Sequence, residues 1–405
     1  MRCYTKTPVP GYPCHPDGFG MDIRIFAHSW LSDWNHGNAH FLRGLAAALM
    51  QRGHQVRAYE GIDGPWGGWS LSQLWAEPRG PRAVRQAQAA FPTLDVGLYA
   101  LDGHGGHGAE TPPVVAACGC RWIRDWSAEL RGAEVVIVHE WNPPELWALL
   151  LEQRRRHRFR LLLHDTHHRA LSQPEELLRL PIREMDGVLA FGERLRRVYE
   201  RWGARRTYTL HEAADTVHFH PRPATERQVT DDLVWIGNWG DGERTPALEE
   251  FLLAPARGLR ARAYGVRYPA SARRRLASAG IAYGGYLPNL DAPAVYAAAR
   301  LSVHIPRRPY AAGLAGIPTI RVFEALACGV ALLCAPWQDE EGLFTPGEDF
   351  LILHGKEEMA AACKQLLRHP EQRNRLGRRG RATVLARHTC AHRATELEAI
   401  CQDLD

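Results

Sequence analysis

Between Gly316 and Gly329 the chain reads Gly-Ile-Pro-Thr-Ile-Arg-Val-Phe-Glu-Ala-Leu-Ala-Cys-Gly: a turn, a helix opening at Pro318, and a glycine that closes it. Proline is tolerated in a first helical turn, where its missing N–H would have no partner. Gly329 stands where a helix ends in a left-handed residue, ahead of the apolar run 330–334, which reads as a buried strand. Arg321 and Glu324 are three positions apart and share a face. A helix N-terminus at Thr319 and Ile320, an arginine and a carboxylate one turn later can hold a phosphate and a sugar hydroxyl together. The same pair also reads as an ordinary surface ion pair.

Other candidates follow apolar runs. His139-Glu140 and His164-Asp165-Thr166-His167-His168 each set a histidine beside a carboxylate. One histidine is expected to meet a sugar while the aspartate fixes its tautomer. Capping of loop backbone is the structural alternative. A shared metal is not expected, because neighbours on an extended strand point to opposite faces. Gly37 and Asn38 lie in a polar loop feeding a helix, where backbone N–H groups can approach a ligand; an ordinary Asn N-cap explains Asn38 as well. Further along, Gly237-Asn238 leads to Arg244, placed to clamp a diphosphate from a helix start. Tyr264-Gly265, Tyr286-Leu287 and His304-Ile-Pro306 end later runs and are candidates for nucleobase contact by stacking and backbone hydrogen bonds.

The elements that must carry these residues alternate. Strands are predicted at 22–26, 55–59, 95–100, 134–138, 159–163, 187–191 and 206–210, with a helix at 38–51 and others between. A second series has strands at 233–237, 259–264, 281–284, 301–305, 330–334 and 350–353. This rhythm predicts α/β architecture with two doubly wound parallel sheets, whose ligands bind at the carboxyl ends of the strands. Residues 60–93, dense in tryptophan, glycine and proline, break the rhythm and read as an inserted lid or acceptor-side loop, or as packing filler. The expected organisation is a disordered leader at 1–20, a first domain at 21–212, a linker at 213–232, a second domain at 233–388, and a C-terminal helix at 389–405 returning to the first.

Arg321-Val-Phe-Glu-Ala-Leu-Ala-Cys-Gly329, followed by Pro346-Gly-Glu-Asp349 and His388-Thr-Cys-Ala-His-Arg393, resembles the signature of CgeB-like glycosyltransferases of the GT-B fold. The resemblance covers most of 22–400. It implies two Rossmann-like domains facing a cleft, and transfer of a sugar from a nucleotide-sugar donor, UDP- or GDP-linked, to a glycan, lipid-linked or other small acceptor. His164-Asp165 resembles the strand-end pair that many such enzymes place near the reacting sugar. No Asp-x-Asp pair ends a strand, since Asp231-Asp232 precedes one. The expected chemistry is therefore metal-independent: Arg244, Arg321 and the helix N-terminus neutralise the leaving diphosphate, and Glu324 accepts ribose hydroxyls. Asp165, Glu140 or a histidine serves if a base is needed; the resemblance favours retention. No cofactor beyond the donor is implied. The related GT4-type pattern has another glutamate eight positions before the second, and here that position is Gly316. A non-catalytic protein binding a nucleotide sugar or glycan, and a nucleotide-sugar epimerase, stay open as alternatives.

Composition bounds these readings. With 45% hydrophobic and 23% charged residues the chain is that of a globular protein, and no apolar run is long enough to span a bilayer. The nine cysteines are scattered, which suits free thiols in a cytoplasmic protein. The net charge of +5 comes almost entirely from arginine. The arginines are dispersed, without a basic-aromatic platform for nucleic acid. The densest run, 154–160, reads as a solvated helix end or as a weak peripheral contact for anionic lipid.

Overall fold

The computed structural model describes residues 20–404 except Asn35, 63–70, 102–111, Arg227, Asp241, Glu243 and Ala315. Most of the expected leader, and residues 63–70 of the expected 60–93 insert, therefore lie outside the described residues. Eight strands form the first sheet: β1 (Asp22–Phe26), β2 (Gln55–Gly61), β3 (Asp95–Tyr99), β4 (Arg121–Trp122), β5 (Val135–His139), β6 (Arg160–Asp165), β7 (Gly187–Ala190) and β8 (Thr207–Thr209). Their order is β4-β3-β2-β1-β5-β6-β7-β8. The second sheet holds β9 (Asp231–Ile236), β10 (Ala261–Tyr264), β11 (Ile281–Tyr283), β12 (Ala299–His304), β13 (Ala331–Cys334) and β14 (Leu351–Ile352), in the order β11-β10-β9-β12-β13-β14. The paired strands of both sheets run parallel. A parallel strand is covered on both faces, so β5 (Val-Val-Ile-Val-His) is buried throughout.

Strand order reverses between β1 and β5 in the first sheet and between β9 and β12 in the second. Crevices open at such switch points, beyond the carboxyl ends of the strands, and here the two crevices face each other across one cleft. Register also matters: His139 of β5 lies opposite His164 of β6.

Several elements differ from the sequence reading. Residues 71–90 are two helices, Leu71–Ala76 and Gly80–Ala90, rather than a loop. Pro81 sits in the first turn of the second, and Ala83, Val84 and Ala87 bury one face. Asp231 and Asp232 belong to β9, not to a linker ahead of it. Arginines on and just before the neighbouring strand β10 make this tolerable: Arg262 meets Asp231 at 3.2 Å, and Arg260 meets Asp232 at 3.0 Å. The helix after Pro318 runs Ile320–Ala327, with Thr319 as its extended N-cap residue, so Pro318 precedes the helix. At the other end Gly329, at φ +69°, donates to Leu326 O, and Val330 N–H donates to Ala325 O. That paired closure is a Schellman motif.

The chain leaves the first sheet's half near Ala214 and returns at Thr389, and the two crossings are hydrogen-bonded to each other. Ala214 N–H donates to His388 O and Cys390 N–H to Ala214 O, both at 3.0 Å. The 388–393 stretch fastens this junction: Thr389 caps the final helix, Cys390–Asp403, and Arg393 donates to His211 O at 2.9 Å. The final helix then lies against Ala39–Gln51 of the first half, where Glu398 accepts from Arg52 at 2.6 Å and contacts His54 at 2.7 Å. No helix among the described residues is long and apolar enough to cross a membrane.

Candidate functional site

The cleft encloses about 700 Å³. On the second half, its floor is the turn after β9. Gly265, at φ +148°, lets this turn pack tightly, since a Cβ there would stand 2.2 Å from Gly237 O. Asn238 ties the two loops by accepting Val266 N–H at 2.9 Å. Arg244 donates to Asn238 O at 2.9 Å and reaches the cleft wall. At the end of β12, His304 Nε2 lies 3.0 Å from Thr319 Oγ1; burial, aided by Arg244, pushes its imidazole down to about 3. Thr319, Ile320 and Arg321 present the start of the Ile320–Ala327 helix to the same space, and Arg267 and Arg307 add further positive charge. A cleft wall with these arginines and a helix N-terminus suits an anionic ligand.

On the first half, the loop after β1 is held by Glu60 of β2, whose carboxylate accepts Trp30 and Leu31 N–H groups at 2.8 and 2.6 Å. Burial still pushes the Glu60 carboxyl up to about 8, against these hydrogen bonds. This fixes Gly37 against the other half: a Cβ there would lie 2.8 Å from Ile320 Cγ2 and 3.3 Å from Arg321 Nη2. The Asn38 side chain does not cap its helix. It donates to Thr166 Oγ1 at 2.9 Å, and Thr166 lies 2.8 Å from His139 Nε2. Asp33 of this loop accepts from the Tyr286 hydroxyl and, at 2.8 Å, from Asn289 N–H, joining the halves at the cleft edge.

Of the residues nominated from sequence, Gly37, Asn38, Gly237, Asn238, Arg244, Gly265, Tyr286, Leu287, His304, Thr319, Ile320 and Arg321 line this cleft. The rest do not. Tyr264 faces a separate groove beside Arg79 and Arg262, because side chains alternate across a strand and its neighbour Gly265 takes the cleft side. Pro306 is buried beside the wall without lining it. Glu324 is fully buried behind Arg321, bonded to it at 2.5 Å, with His40 Nδ1 3.0 Å away. It is no exposed acceptor for ribose, and no surface ion pair either.

His139, Glu140, His164 and Asp165 are buried beneath the cleft rather than in its lining. Asp165 does not orient a histidine ring; it accepts from the Tyr199 hydroxyl at 2.5 Å and from His167 N–H at 2.9 Å. Burial pushes the Asp165 and Glu140 carboxyls up to about 8 and His139 down to about 3. Loss of solvation disfavours the charged form of each. The rings of His28, His36, His139 and His164 form a continuous group, His28 and His36 at 4.1 Å and His139 and His164 at 5.5 Å. Among the described residues no three His, Cys, Asp or Glu side chains converge on a metal position.

Sequence reasoning missed Asp33, Glu60, Tyr310 and, above all, Glu212. Glu212 follows β8 by three residues, so the strand-end rule could have found it. Glu212 is 2% exposed, lines the cleft and stands beside the Ile320 backbone N–H. Burial, reinforced by Glu324 and Glu140, pushes its carboxyl well above the usual range. Gly316 has no room for a carboxylate of its own: at φ +93°, a Cβ would lie 3.1 Å from Glu340 Cβ and 3.2 Å from Glu341 Cγ.

Two facing Rossmann-like halves with this cleft define the GT-B architecture, the fold of one large class of glycosyltransferases. More particularly, residues 244–399 match the family described as glycosyl transferase-like. No curated protein sequence matches the chain significantly. Among solved structures, the chain is similar to Anabaena Alr3699/HepE in complex with UDP and glucose, with 14% identity and a TM-score of 0.63 over 94% of this chain and 99% of that one. It is also similar to sucrose-phosphate synthase (tll1590) from Thermosynechococcus elongatus, with 14% identity and a TM-score of 0.61 over 95% of this chain and 99% of that one. A glycosyltransferase from Rickettsia africae ESF-5 gives 11% identity and 0.60 over 95% and 98%. At these identities the likeness is one of fold.

Proposed function

We propose that this protein is a glycosyltransferase, of the CgeB-like group by its 321–329 signature, that moves a sugar from a nucleotide-sugar donor to a glycan or other small acceptor. The observation that carries this reading is the convergence of Arg244, Arg321 and the Ile320–Ala327 helix N-terminus on one wall of a cleft between two strand-end crevices. Breaking the bond from anomeric carbon to diphosphate oxygen leaves negative charge on the diphosphate. Fixed arginines and a helix N-terminus stabilise that charge without a metal. The diphosphate thus belongs to the second half, and the acceptor to the first, against Trp141, His167 and His168. UDP is the favoured nucleotide, in line with the similar folds solved with it.

Retention of anomeric configuration fits the cleft better than inversion. The carboxylates expected to serve as base, Asp165 and Glu140, lie beneath the lining, and the histidines that do line it, His167 and His168, are held by burial below the usual imidazole range and so are weak bases. A departing diphosphate oxygen on the acceptor's own face can take the acceptor hydroxyl proton instead. The test is calorimetric titration with UDP-, GDP-, ADP- and dTDP-sugars, followed by NMR of the anomeric proton as donor is consumed. Binding of one nucleotide class, with slow donor hydrolysis yielding the retained anomer first, is the expected result. Binding without any turnover across an acceptor panel would favour a non-catalytic binder; no binding at all would overturn the reading.

A further inference from the structure

Glu212 is out of place in a wall built for anions. It stands on the segment after β8, beside the backbone N–H of Ile320, the first residue of the helix that anchors the diphosphate in the reading above. One of its carboxylate oxygens, Oε1, is buried and has no hydrogen-bond partner, and the residue lines the cleft. An unpaired buried acceptor of this kind costs free energy until a donor fills it. A diphosphate cannot be that donor, since its oxygens only accept. A sugar ring can, through its hydroxyl groups. Position decides which sugar: Glu212 stands beside the Ile320 amide and so lies one residue from Arg321, beside the phosphate anchor rather than out on the acceptor wall.

We infer that Glu212 is the residue that recognises the transferred sugar, its free oxygen accepting one or more ring hydroxyls of the donor. The inference rests on the nucleotide-sugar reading and adds a specificity determinant supplied by the first half of the chain. Closing the cleft then assembles the donor site from both halves, nucleoside diphosphate from one and sugar from the other.

Calorimetry with UDP and UDP-glucose on wild type and Glu212→Gln separates the outcomes, with the matching GDP pair, GDP and GDP-mannose, if that is the nucleotide bound. Glutamine keeps the shape and one acceptor oxygen but sets an NH2 donor where the free acceptor oxygen stood. UDP affinity should change less than about twofold, which also shows the variant to be folded, while affinity for the sugar nucleotide should fall about tenfold or more. A 4-deoxy or 3-deoxy donor should lose affinity in wild type and lose little further in the variant. If Glu212→Gln binds UDP and the sugar nucleotide in the wild-type ratio, the inference falls and the nucleotide-sugar reading survives. If binding ratios hold and only turnover is lost, Glu212 is a proton-transfer group instead, and the inference again falls. Failure of wild type to bind either nucleotide removes the underlying reading itself.

Discussion

Removing Arg321 tests the junction at the heart of the cleft. Glu324 is 0% exposed and Arg321 26% exposed, and they are bonded at 2.5 Å. Burial alone would raise the Glu324 carboxyl, but Arg321, with help from His40, brings it below the usual carboxylate range. In Arg321→Ala the carboxylate keeps only His40 at 3.0 Å and the Tyr296 hydroxyl at 3.4 Å. Breaking one side of a buried pair costs about 3–5 kcal/mol. With two partners left, the lower end applies, about 3 kcal/mol, or a Tm fall of roughly 6–12 °C for a half of this size. The sign with pH follows. In wild type the depressed Glu324 contributes stability above its unfolded pKa, lost as pH falls through the folded value. In the variant burial dominates and the folded pKa rises above the unfolded one, so the penalty is full above the raised value and shrinks as pH falls through it toward pH 5. Thermal unfolding across that range, with Arg321→Ala/Glu324→Gln alongside, reads it out. The double variant should recover about 2 kcal/mol, because a neutral amide carries no buried charge. A double variant no more stable than Arg321→Ala, or a deficit that does not narrow with acid, would refute the reasoning.

Three further outcomes are expected. Arg244→Ala should weaken UDP binding about tenfold to a hundredfold, the loss of a charge-assisted contact, with a melting temperature near wild type; calorimetry and melting check both. Gly37→Val should keep both halves folded yet weaken sugar-nucleotide binding, since any Cβ there meets Ile320 at 2.8 Å; small-angle scattering should show a more open molecule. Glu398→Ala should cost about 1–2 kcal/mol by releasing Arg52 and His54, seen in urea unfolding, with UDP affinity unchanged.

What the sequence revealed depended on how far each signal travels along the chain. Parallel strands covered on both faces print as uninterrupted apolar runs, so β5 and β13 were legible. β4 is only Arg121–Trp122 and leaves no pattern. The tryptophans and prolines of 60–93 mimic a loop because helix Gly80–Ala90 starts with Gly-Pro. The strand-end rule led to the cleft but not to which side chains enter it: Tyr264 and Asp165 each sit one position out of phase with the wall. Contacts made only when the halves meet, such as Asp33 with Tyr286 and His40 with Glu324, have no local signature at all.

The pairing of Ala214 with Thr389 has a consequence for modularity. Both described ends of the chain belong to the same half, β1 in its sheet and the Cys390–Asp403 helix against Ala39–Gln51. By connectivity the second half is a cassette spliced into the first, entering and leaving through neighbouring residues. Insertions of this kind disturb their host least, because the host sees a gap only as wide as one hydrogen-bonded bridge. A chimera that exchanges everything between residues 215 and 388 for the equivalent cassette of another GT-B protein would keep the first half's fold intact. It would carry Glu212 with the host rather than with the guest, so any sugar preference that residue imposes should stay behind when the nucleotide preference is swapped.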